Sequence, residues 1–200
     1  MKVLAFSDLH LARAPATELV AVSADADLVI GAGDFCNHRT GLEDAMEMLA
    51  GISAPFVVVP GNAESAPELR KAAGAGTHVL HGSGVEIDGL SLFGLGYGVP
   101  PTPFGDWSCD LTEKEAEVLL APCDQADILV LHSPPRGLGD VTGTGASVGS
   151  DAIRDAILRI APRLAVCGHI HDSWGARGML GVSEVANLGP RPNWFDISCS

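Results

Sequence analysis

The sequence predicts an α/β domain in which strands and helices alternate along the chain. Five runs of four or five apolar residues, rich in valine, isoleucine and leucine, are typical of strands buried on both faces. They are residues 2–6, 27–31, 55–59, 127–131 and 163–167. Segments with helical signals fall between these runs, so we expect a layered domain with a sheet at its centre.

Two kinds of signal predict the helices. Apolar residues at i, i+3, i+4 and i+7 give residues 42–49 and 153–160 one apolar stripe each, which can pack against a sheet. A glutamate three positions after Ser65, and another three positions after Thr112, form capping-box patterns. We therefore expect two more helices to begin at these residues.

The middle of the chain interrupts the alternation. Residues 85–87 and 90–92 flank an Asp-Gly pair, which is typical of a β-hairpin. Residues 96–110 and 137–150 show no periodicity and are predicted to be long surface loops. Loops of that length often carry function.

Length and composition restrict the class of protein. The chain has 200 residues, of which 46% are hydrophobic and 18% charged, so a disordered or coiled-coil protein is excluded. We expect a single domain over residues 1–200. No apolar run approaches the ~20 residues of a membrane helix, and the opening apolar run is too short for a signal peptide. A cytoplasmic location is therefore expected.

The cysteines are consistent with that compartment. Their number is odd and their spacing contains no Cys-x-x-Cys pair, so reduced thiols are expected in place of disulfides or a zinc ribbon. They are Cys36, Cys109, Cys123, Cys167 and Cys199.

The net charge restricts the partners. Twelve Lys and Arg stand against 25 Asp and Glu, which gives a formal charge of −13. This charge repels polyanions at long range, so we expect no long nucleic acid and no membrane surface among the partners. Acidic residues in a cleft can nevertheless bind divalent cations, and the cations then attract anions.

Acids, histidines and an asparagine directly follow the predicted strands. The carboxyl ends of strands in α/β sheets form the edge where ligands bind, so these side chains can converge there. The candidate ligands are Asp8, His10, Asp34, Asn62, His132, His169 and His171. Asp8 and His10 are two residues apart, as are His169 and His171. In an extended segment each such pair shares a face and offers two donors to one ion.

Seven ligands of this kind predict two divalent metal ions, because seven would crowd a single ion. A set with four histidines and several oxygens suits manganese, iron, zinc or nickel. We expect manganese, with the other three as alternatives. Asp34, which is central in chain order, is expected to bridge the two ions. Paired ions ~3.5 to 4 Å apart share a water that ionises near neutral pH.

The ordered motifs resemble the signature of the calcineurin-like metallophosphoesterases, which is D-x-H, G-D, G-N-H-[DE], H and G-H-x-H. The match runs from Asp8 to His171. Three segments are most similar to a small prokaryotic phosphodiesterase branch. They are Gly33-Asp34-Phe35, His132-Ser133-Pro134-Pro135 and Asn187-Leu188-Gly189-Pro190. The resemblance implies a two-layered mixed β-sheet sandwich flanked by helices.

The resemblance also implies an assignment of ligands and a reaction. It places Asp8, His10, Asp34 and His171 on one metal ion. It places Asp34, Asn62, His132 and His169 on the other. The substrate is expected to be a small phosphate ester, with phosphodiesters preferred over monoesters. Hydroxide held between the ions is expected to attack phosphorus, with Asp34, Asn62 and His132 as the catalytic protein groups and no organic cofactor.

One position departs from the family signature. Ala63 stands where most members have a histidine that contacts the phosphate and helps the leaving oxygen. Losing a positioned proton donor typically costs ~10² to 10⁴ in rate. Ala63 therefore has two interpretations. It either narrows the substrate range, or it marks a binding or scaffold protein with weak or no catalytic activity, which is the alternative function. A nuclease is disfavoured by the net charge.

Three further residues are candidates for substrate contact. His38 lies four residues beyond Asp34 and is a hypothetical replacement for the missing proton donor. Arg39 and Arg136 lie near ligands in the sequence, and a guanidinium group can grip two phosphate oxygens. Trp107, in the first long loop, is the tryptophan selected for a test of substrate contact. The pattern predicts neither the identity of the ester nor the oligomeric state.

Overall fold

Two β-sheets stacked face to face form the centre of the structure, a computed structural model that describes residues 1–198. The strands are β1 (Lys2–Phe6), β2 (Leu28–Gly31), β3 (Phe56–Val58), β4 (Thr77–Val79), β5 (Ser83–Ile87), β6 (Leu90–Leu95), β7 (Ile128–Leu131), β8 (Leu164–Cys167), β9 (Arg177–Leu180), β10 (Ser183–Asn187) and β11 (Asn193–Asp196). The first sheet has the order β11-β1-β2-β3-β4, and the second has the order β5-β6-β7-β8-β10-β9.

Helices cover the outer face of each sheet. They are α1 (Arg13–Ser23), α2 (Leu42–Met48), α3 (Ala66–Ala72), α4 (Glu113–Leu120) and α5 (Asp151–Ile160). The first three helices pack on the first sheet, and the last two pack on the second. A short 3₁₀ helix spans His171–Ser173. The expected two-layered sandwich flanked by helices is therefore confirmed.

Both sheets are mixed. In the first sheet β1 to β4 run parallel and β11 pairs antiparallel with β1. In the second sheet β6, β7, β8 and β10 run parallel, while β5 and β9 close the two edges as antiparallel strands. Parallel strands covered on both faces explain why the predicted strands are continuously apolar.

The packing of β1 shows how one strand serves two cores. Val3 and Ala5 face the opposite sheet, whereas Leu4 and Phe6 pack against the helices. All four side chains are fully buried. Complete burial of a large apolar side chain stabilises the fold by roughly 1.5 to 3 kcal/mol, so neither face of the strand tolerates a polar residue.

Most of the predicted elements are present. The five apolar runs form β1, β2, β3, β7 and β8, the two periodic segments form α2 and α5, and the hairpin forms β5 and β6. Both capping boxes exist: Ser65 and Thr112 accept hydrogen bonds from the backbone N–H groups of Glu68 and Glu115. Residues 96–110 and 137–150 contain only isolated bridges and turns.

Five elements carried no prediction, namely α1, β4, β9, β10 and β11. Helix α1 begins after Ala12, which has no side chain able to cap it. Strand β9 is exposed at alternate residues and all three residues of β4 are only partly buried, so neither forms a continuous apolar run. Local sequence therefore carried no signal for these elements.

Two further features concern the lengths of the helices and the state of the cysteines. The described part of the chain has no helix that is both long and apolar enough to cross a membrane, and α1 has only 11 residues. Cys36, Cys109, Cys123 and Cys167 are free thiols. Cys199 lies outside the described residues.

Candidate metal centre

The predicted ligands meet where β1, β2, β3, β7 and β8 end, at one edge shared by both sheets. The ligand atoms of Asp8, His10 and His171, here called the outer group, all lie within 4.8 Å of one another. Those of Asp34, His132 and His169, the inner group, do the same. Ligand atoms about 2 to 2.3 Å from one ion are separated by distances of this size. Each group therefore fits one divalent cation.

Asp34 lies between the two groups. Its Oδ2 is 3.6 Å from His10 Nε2, and its Oδ1 is 3.5 Å from His132 Nε2. A carboxylate with one oxygen toward each group has the geometry required of a ligand that bridges two ions. Asn62 Oδ1, 3.1 Å from His132 Nε2, adds an amide oxygen to the inner group.

The backbone at four ligands lies in the left-handed region. The φ angle is +52° at Asp8, +46° at His10, +57° at Asp34 and +68° at His169. Such conformations cost roughly 1 to 3 kcal/mol each for non-glycine residues. Hydrogen bonds between the ligand loops offset this cost: Asp8 N–H donates to the carbonyl of Gly33 at 2.9 Å, and His10 N–H donates to that of Asp34 at 3.0 Å.

The prediction that each His-x-His or Asp-x-His pair shares the face of an extended segment is therefore wrong. The segment from Asp8 to His10 turns instead of continuing β1, although both side chains still reach the outer group. His169 and His171 belong to different groups. The physical reason is that interlocking hydrogen bonds between loops, which a local pattern does not reveal, set the direction of each side chain.

Two glycines allow the ligand loops to approach closely. A Cβ at Gly61 would overlap Asp34 Oδ1. At Gly33, where φ is +89°, a Cβ would lie 2.6 Å from His132 Nδ1. The Gly-Asp and Gly-Asn pairs of the sequence therefore have a steric explanation.

Glu64 ties two ligand loops together. Its Oε1 accepts hydrogen bonds from the N–H groups of Asp34 at 2.8 Å and Gly61 at 2.7 Å, and its Oε2 accepts one from Phe35. Burial and the nearby Asp34 carboxylate raise the pKa of Glu64 to about 7, against the opposing effect of the Gly61 N–H. Glu64 is not among the residues predicted from the sequence, although its position two residues after Asn62 was a usable signal.

Trp174 is a second residue that the sequence did not single out for the metal site. Its Nε1–H donates to Asp8 Oδ2 at 3.0 Å, and its ring centroid lies 4.4 Å from that of His171. Burial alone would raise the pKa of Asp8, but His171, whose Nε2 lies 3.7 Å from Asp8 Oδ1, and attraction to His132 hold that pKa well below its usual range. The Asp8 carboxylate is therefore ionised and oriented for metal binding.

The histidines are oriented through their Nδ1 atoms. His132 Nδ1 lies 2.8 Å from the carbonyl of Ala32, and His10 Nδ1 lies 3.1 Å from that of Cys36, which leaves Nε2 directed at the site. Burial lowers the pKa of His169 to about 3. A neutral imidazole is the form that binds a metal ion.

A cleft of about 390 Å³ opens beside both groups. Phe104 and Trp107, from the first long loop, line one side, and Thr142, from the second, also contributes. His38 lines this cleft as well, and its ring centroid lies 4.2 Å from that of Trp107. The volume is within the usual range for small-molecule sites.

The two arginines predicted to contact substrate have other partners. Arg39 forms a forked ion pair with Glu68, with Nε–Oε2 and NH2–Oε1 distances of 2.9 and 2.8 Å. Arg136 Nε lies 2.9 Å from Asp151 Oδ1. Neither arginine lines the cleft, so their contact with substrate stays a prediction without support from these positions.

Ala63 is almost fully buried and packs in the core beneath the helices. Its N–H donates to Asp34 Oδ1 at 2.8 Å. The backbone of this position therefore supports the inner group, while its methyl side chain offers no proton to a ligand in the cleft.

A second groove, about 850 Å³ in volume, lies away from these ligands. Met46, Phe56, Thr77 and Ile87 are among the residues that line it. Although this groove is larger, it contains none of the seven candidate ligands. Size alone therefore does not identify the reactive site, and the chemistry of the ligand groups selects the smaller cleft.

Comparisons with known proteins agree with this geometry. The family model for calcineurin-like phosphoesterases matches residues 1–173. A UPF0046 protein from Caenorhabditis elegans is 33% identical over 98 residues, which are 46% of this chain and 24% of that protein. The match thus spans about a quarter of the length of this curated relative.

Solved structures share the fold. A protein from Thermus thermophilus has a TM-score of 0.77 at 17% identity and covers 98% of each chain. A dimetal phosphatase from Danio rerio has a TM-score of 0.61 at 12% identity, over 95% of this chain and 88% of its own. Because the family model covers more than half of the chain, this protein belongs to the calcineurin-like phosphoesterases, and its two ligand groups fit the divalent metals of that family.

Proposed function

We propose that this chain is a phosphodiesterase that depends on two divalent metal ions. The observation that carries the proposal is the position of Asp34, with one carboxylate oxygen toward His10 of the outer group and the other toward His132 of the inner group. Two bound ions would supply an ionised water as nucleophile and would neutralise charge on the phosphoryl group. The dimetal phosphatase of the same fold supports this pairing.

Asn62 is proposed to orient the ester beside the inner group, together with His132. Asn62 Nδ2 donates to Ser108 Oγ at 3.0 Å, so the amide oxygen is fixed toward His132. His132 is fully buried and hydrogen-bonded at its other nitrogen, so its direction is fixed as well. These two residues hold their geometry before substrate arrives, which reduces the cost of reorganisation during reaction.

The charges in the cleft favour a diester. Among residues 1–198, the side chains that line the cleft include no lysine or arginine, whereas the carboxylate of Asp172 is present. Apart from the two bound cations, the described cleft therefore has no lysine or arginine side chain for the second charge of a monoester dianion, whereas a diester monoanion carries one charge fewer. The formal charge of −13 acts in the same direction.

His38 is proposed to supply the proton to the leaving alkoxide. Within the described chain it is the cleft-lining histidine that belongs to neither ligand group, and Ala63 has no proton to donate. The variant His38→Ala should lower kcat for an alkyl ester with a poor leaving group by about 10²-fold. It should leave an activated nitrophenyl ester nearly unaffected, and equal rates for the alkyl ester would exclude this role.

Manganese is the proposed metal, with iron, zinc and nickel as alternatives, because the donors are imidazole nitrogens with carboxylate and amide oxygens. A cytoplasmic location stays a prediction that the free thiols favour. Membership of the small prokaryotic branch also stays a prediction.

The test uses metal-free protein loaded with manganese, a metal count, and parallel assays of bis(p-nitrophenyl) phosphate and p-nitrophenyl phosphate. We expect two ions per chain and faster turnover of the diester. Asp34→Asn keeps the size of the side chain but removes its charge, so it should reduce the metal count and lower kcat by roughly 10²- to 10³-fold. Protein that binds two ions yet hydrolyses neither ester would instead support the scaffold alternative.

A further inference from the structure

We propose that Phe104 and Trp107 form an aromatic platform that binds a planar ring of the substrate, so that aryl or nucleoside phosphate esters are preferred over alkyl esters. This inference rests on the proposed function, since the platform lies in the cleft beside the metal centre. It adds a recognition site for the organic part of the ester to the site for its phosphate.

The two rings stack on each other: their planes are within 7° of parallel and their centroids lie 5.6 Å apart. Trp107 therefore supports one face of Phe104, and the exposed part of Phe104 is what a ligand can contact. The Phe104 centroid is 6.5 Å from that of His169, so Phe104 lies beside the inner group. A planar ring bound against Phe104 would therefore lie beside a phosphate held at the metal centre.

The exposure of Phe104 is unusual for a phenylalanine. Half of its surface is open to solvent, although burial of this apolar ring would stabilise the fold. Its free face is available to a ligand because it does not pack in a core. Stacking on such a face is worth more than simple contact with an alkyl group, because the ring quadrupoles also attract each other.

The loop that carries the platform is anchored to a metal ligand. Ser108 Oγ accepts a hydrogen bond from Asn62 Nδ2, and Cys109 N–H donates to the backbone carbonyl of Asn62 at 2.9 Å. Asp110 accepts hydrogen bonds from Ser108 and Thr102 at 2.9 to 3.0 Å, which closes the loop on itself. The platform is thus held at a fixed distance from the inner group, and binding a ring would cost little ordering entropy.

The charges around the platform restrict the ring-bearing group. Beside the platform the cleft is lined by the polar Thr142, the apolar Ile170 and the acidic Asp172. The described residues of the cleft include no lysine or arginine that could bind a second phosphate. The metal ions would neutralise one phosphate, so the further phosphates of a nucleoside diphosphate or triphosphate would have no such side-chain counter-charge in the described cleft. The expected ligand therefore carries one phosphate and one planar ring.

The experiment measures binding, so it does not depend on turnover. Calorimetry with manganese-loaded protein compares phenylphosphonate with methylphosphonate, and adenosine 5′-monophosphate with ribose 5-phosphate. Within each pair the phosphorus group is matched and only the ring differs. We expect the ring-bearing member of at least one pair to bind about tenfold tighter, since one stacking contact contributes about 1.4 kcal/mol.

Phe104→Ala should remove most of this tenfold preference while leaving the ring-free ligands bound as before. Because Phe104 is exposed, its replacement by alanine should not unfold the protein. Trp107→Leu is a second variant that tests the same platform. Val182→Ala is the matched control, because Val182 is an exposed apolar residue outside the cleft. A preference in the phenyl pair alone assigns an aryl ester, and one in the adenosine pair alone assigns a nucleoside ester.

Equal binding of both members in both pairs would overturn the platform, as would a preference that survives in Phe104→Ala. Either result is distinct from failure of the proposed function, which would appear as absence of hydrolysis in the diester assay. The platform proposal can therefore be wrong for an active enzyme, and it can be correct for a protein that binds phosphates without hydrolysing them.

Discussion

The inner and outer ligand groups use the same kinds of side chain in different surroundings. In the inner group His132 is fully buried and the Asp34 side chain is 5% exposed. In the outer group Asp8 is buried as well, but the side chains of His171 and His10 are 48% and 27% exposed. The difference lies in the histidines, and it indicates that the outer position is more open to solvent than the inner one.

Replacing one histidine from each group tests this difference most strongly. His132→Ala leaves a cavity and an unpaired carbonyl at Ala32, so the free energy of unfolding should fall by about 2 to 4 kcal/mol together with loss of one ion. His171→Ala should also lose one ion, and because His171 Nε2 lies 3.7 Å from the buried Asp8 carboxylate, the unfolding free energy should fall by about 1 kcal/mol, less than for His132→Ala. Urea unfolding of the metal-free proteins and metal counts measure both quantities, and equal destabilisation by the two variants would contradict the contrast.

Trp174 offers a sharper test of the outer group alone. Trp174→Phe keeps an aromatic ring beside His171 but removes the hydrogen bond to Asp8. Losing such a supporting bond typically weakens metal affinity by 10- to 100-fold, so we expect about tenfold weaker binding of one ion and unchanged binding of the other. Competition with a fluorescent chelator measures both affinities. Trp194→Phe, on β11, is the control, and identical weakening there would argue against a specific role for Trp174.

The smallest expected effect concerns the ion pair between Arg39 and Glu68. The ion pair with Arg39 lowers the pKa of Glu68 from 4.5 to about 2, and burial opposes this shift. Because the folded-state pKa is lower, the stabilisation is fully present above about pH 4.5 and is lost as the pH falls through about 2. The side chains are 34% and 44% exposed, so after discounting for solvent screening we expect about 1 kcal/mol or less.

Glu68→Gln should therefore destabilise the protein slightly at neutral pH, and the difference from the unsubstituted protein should shrink on acidification. Urea unfolding across the acid range measures this slope. Arg39→Ala should produce the same loss, and the double variant should add little, because both residues contribute to one interaction. Additive losses would show that the two side chains act independently.

The parts of the fold that could be predicted are those with a strong local signal. Strands such as β1 and β8 are covered on both faces, so they appear as continuous apolar runs, and α3 and α4 begin at residues that cap their own helices. Helix α1 lacks a side-chain cap and β9 is half exposed at an edge. These elements depend on partners that lie far away in the sequence.

The surroundings of the site were less predictable than its ligands. Trp107 could be selected from its position in a long loop, but Phe104 carried no signal of its own. The parallel arrangement of their rings depends on how residues 96–110 attach to Asn62. The sequence suggested Arg39 as a phosphate contact, yet Glu68 lies close enough in the fold to pair with it. Ion pairs and ring contacts of this kind are decided by the path of loops, which carries no periodic signal.

The sequence by itself determined which residue types follow which strands, and hence the seven candidate ligands and the departure at Ala63. Only the tertiary structure decided that the loop from Asp8 to His10 is not extended, and that Glu64 and Trp174 hold the ligands in place. The physical reason is that strands are specified by local burial patterns, whereas the direction of a side chain in a turn is fixed by hydrogen bonds between segments distant in the chain.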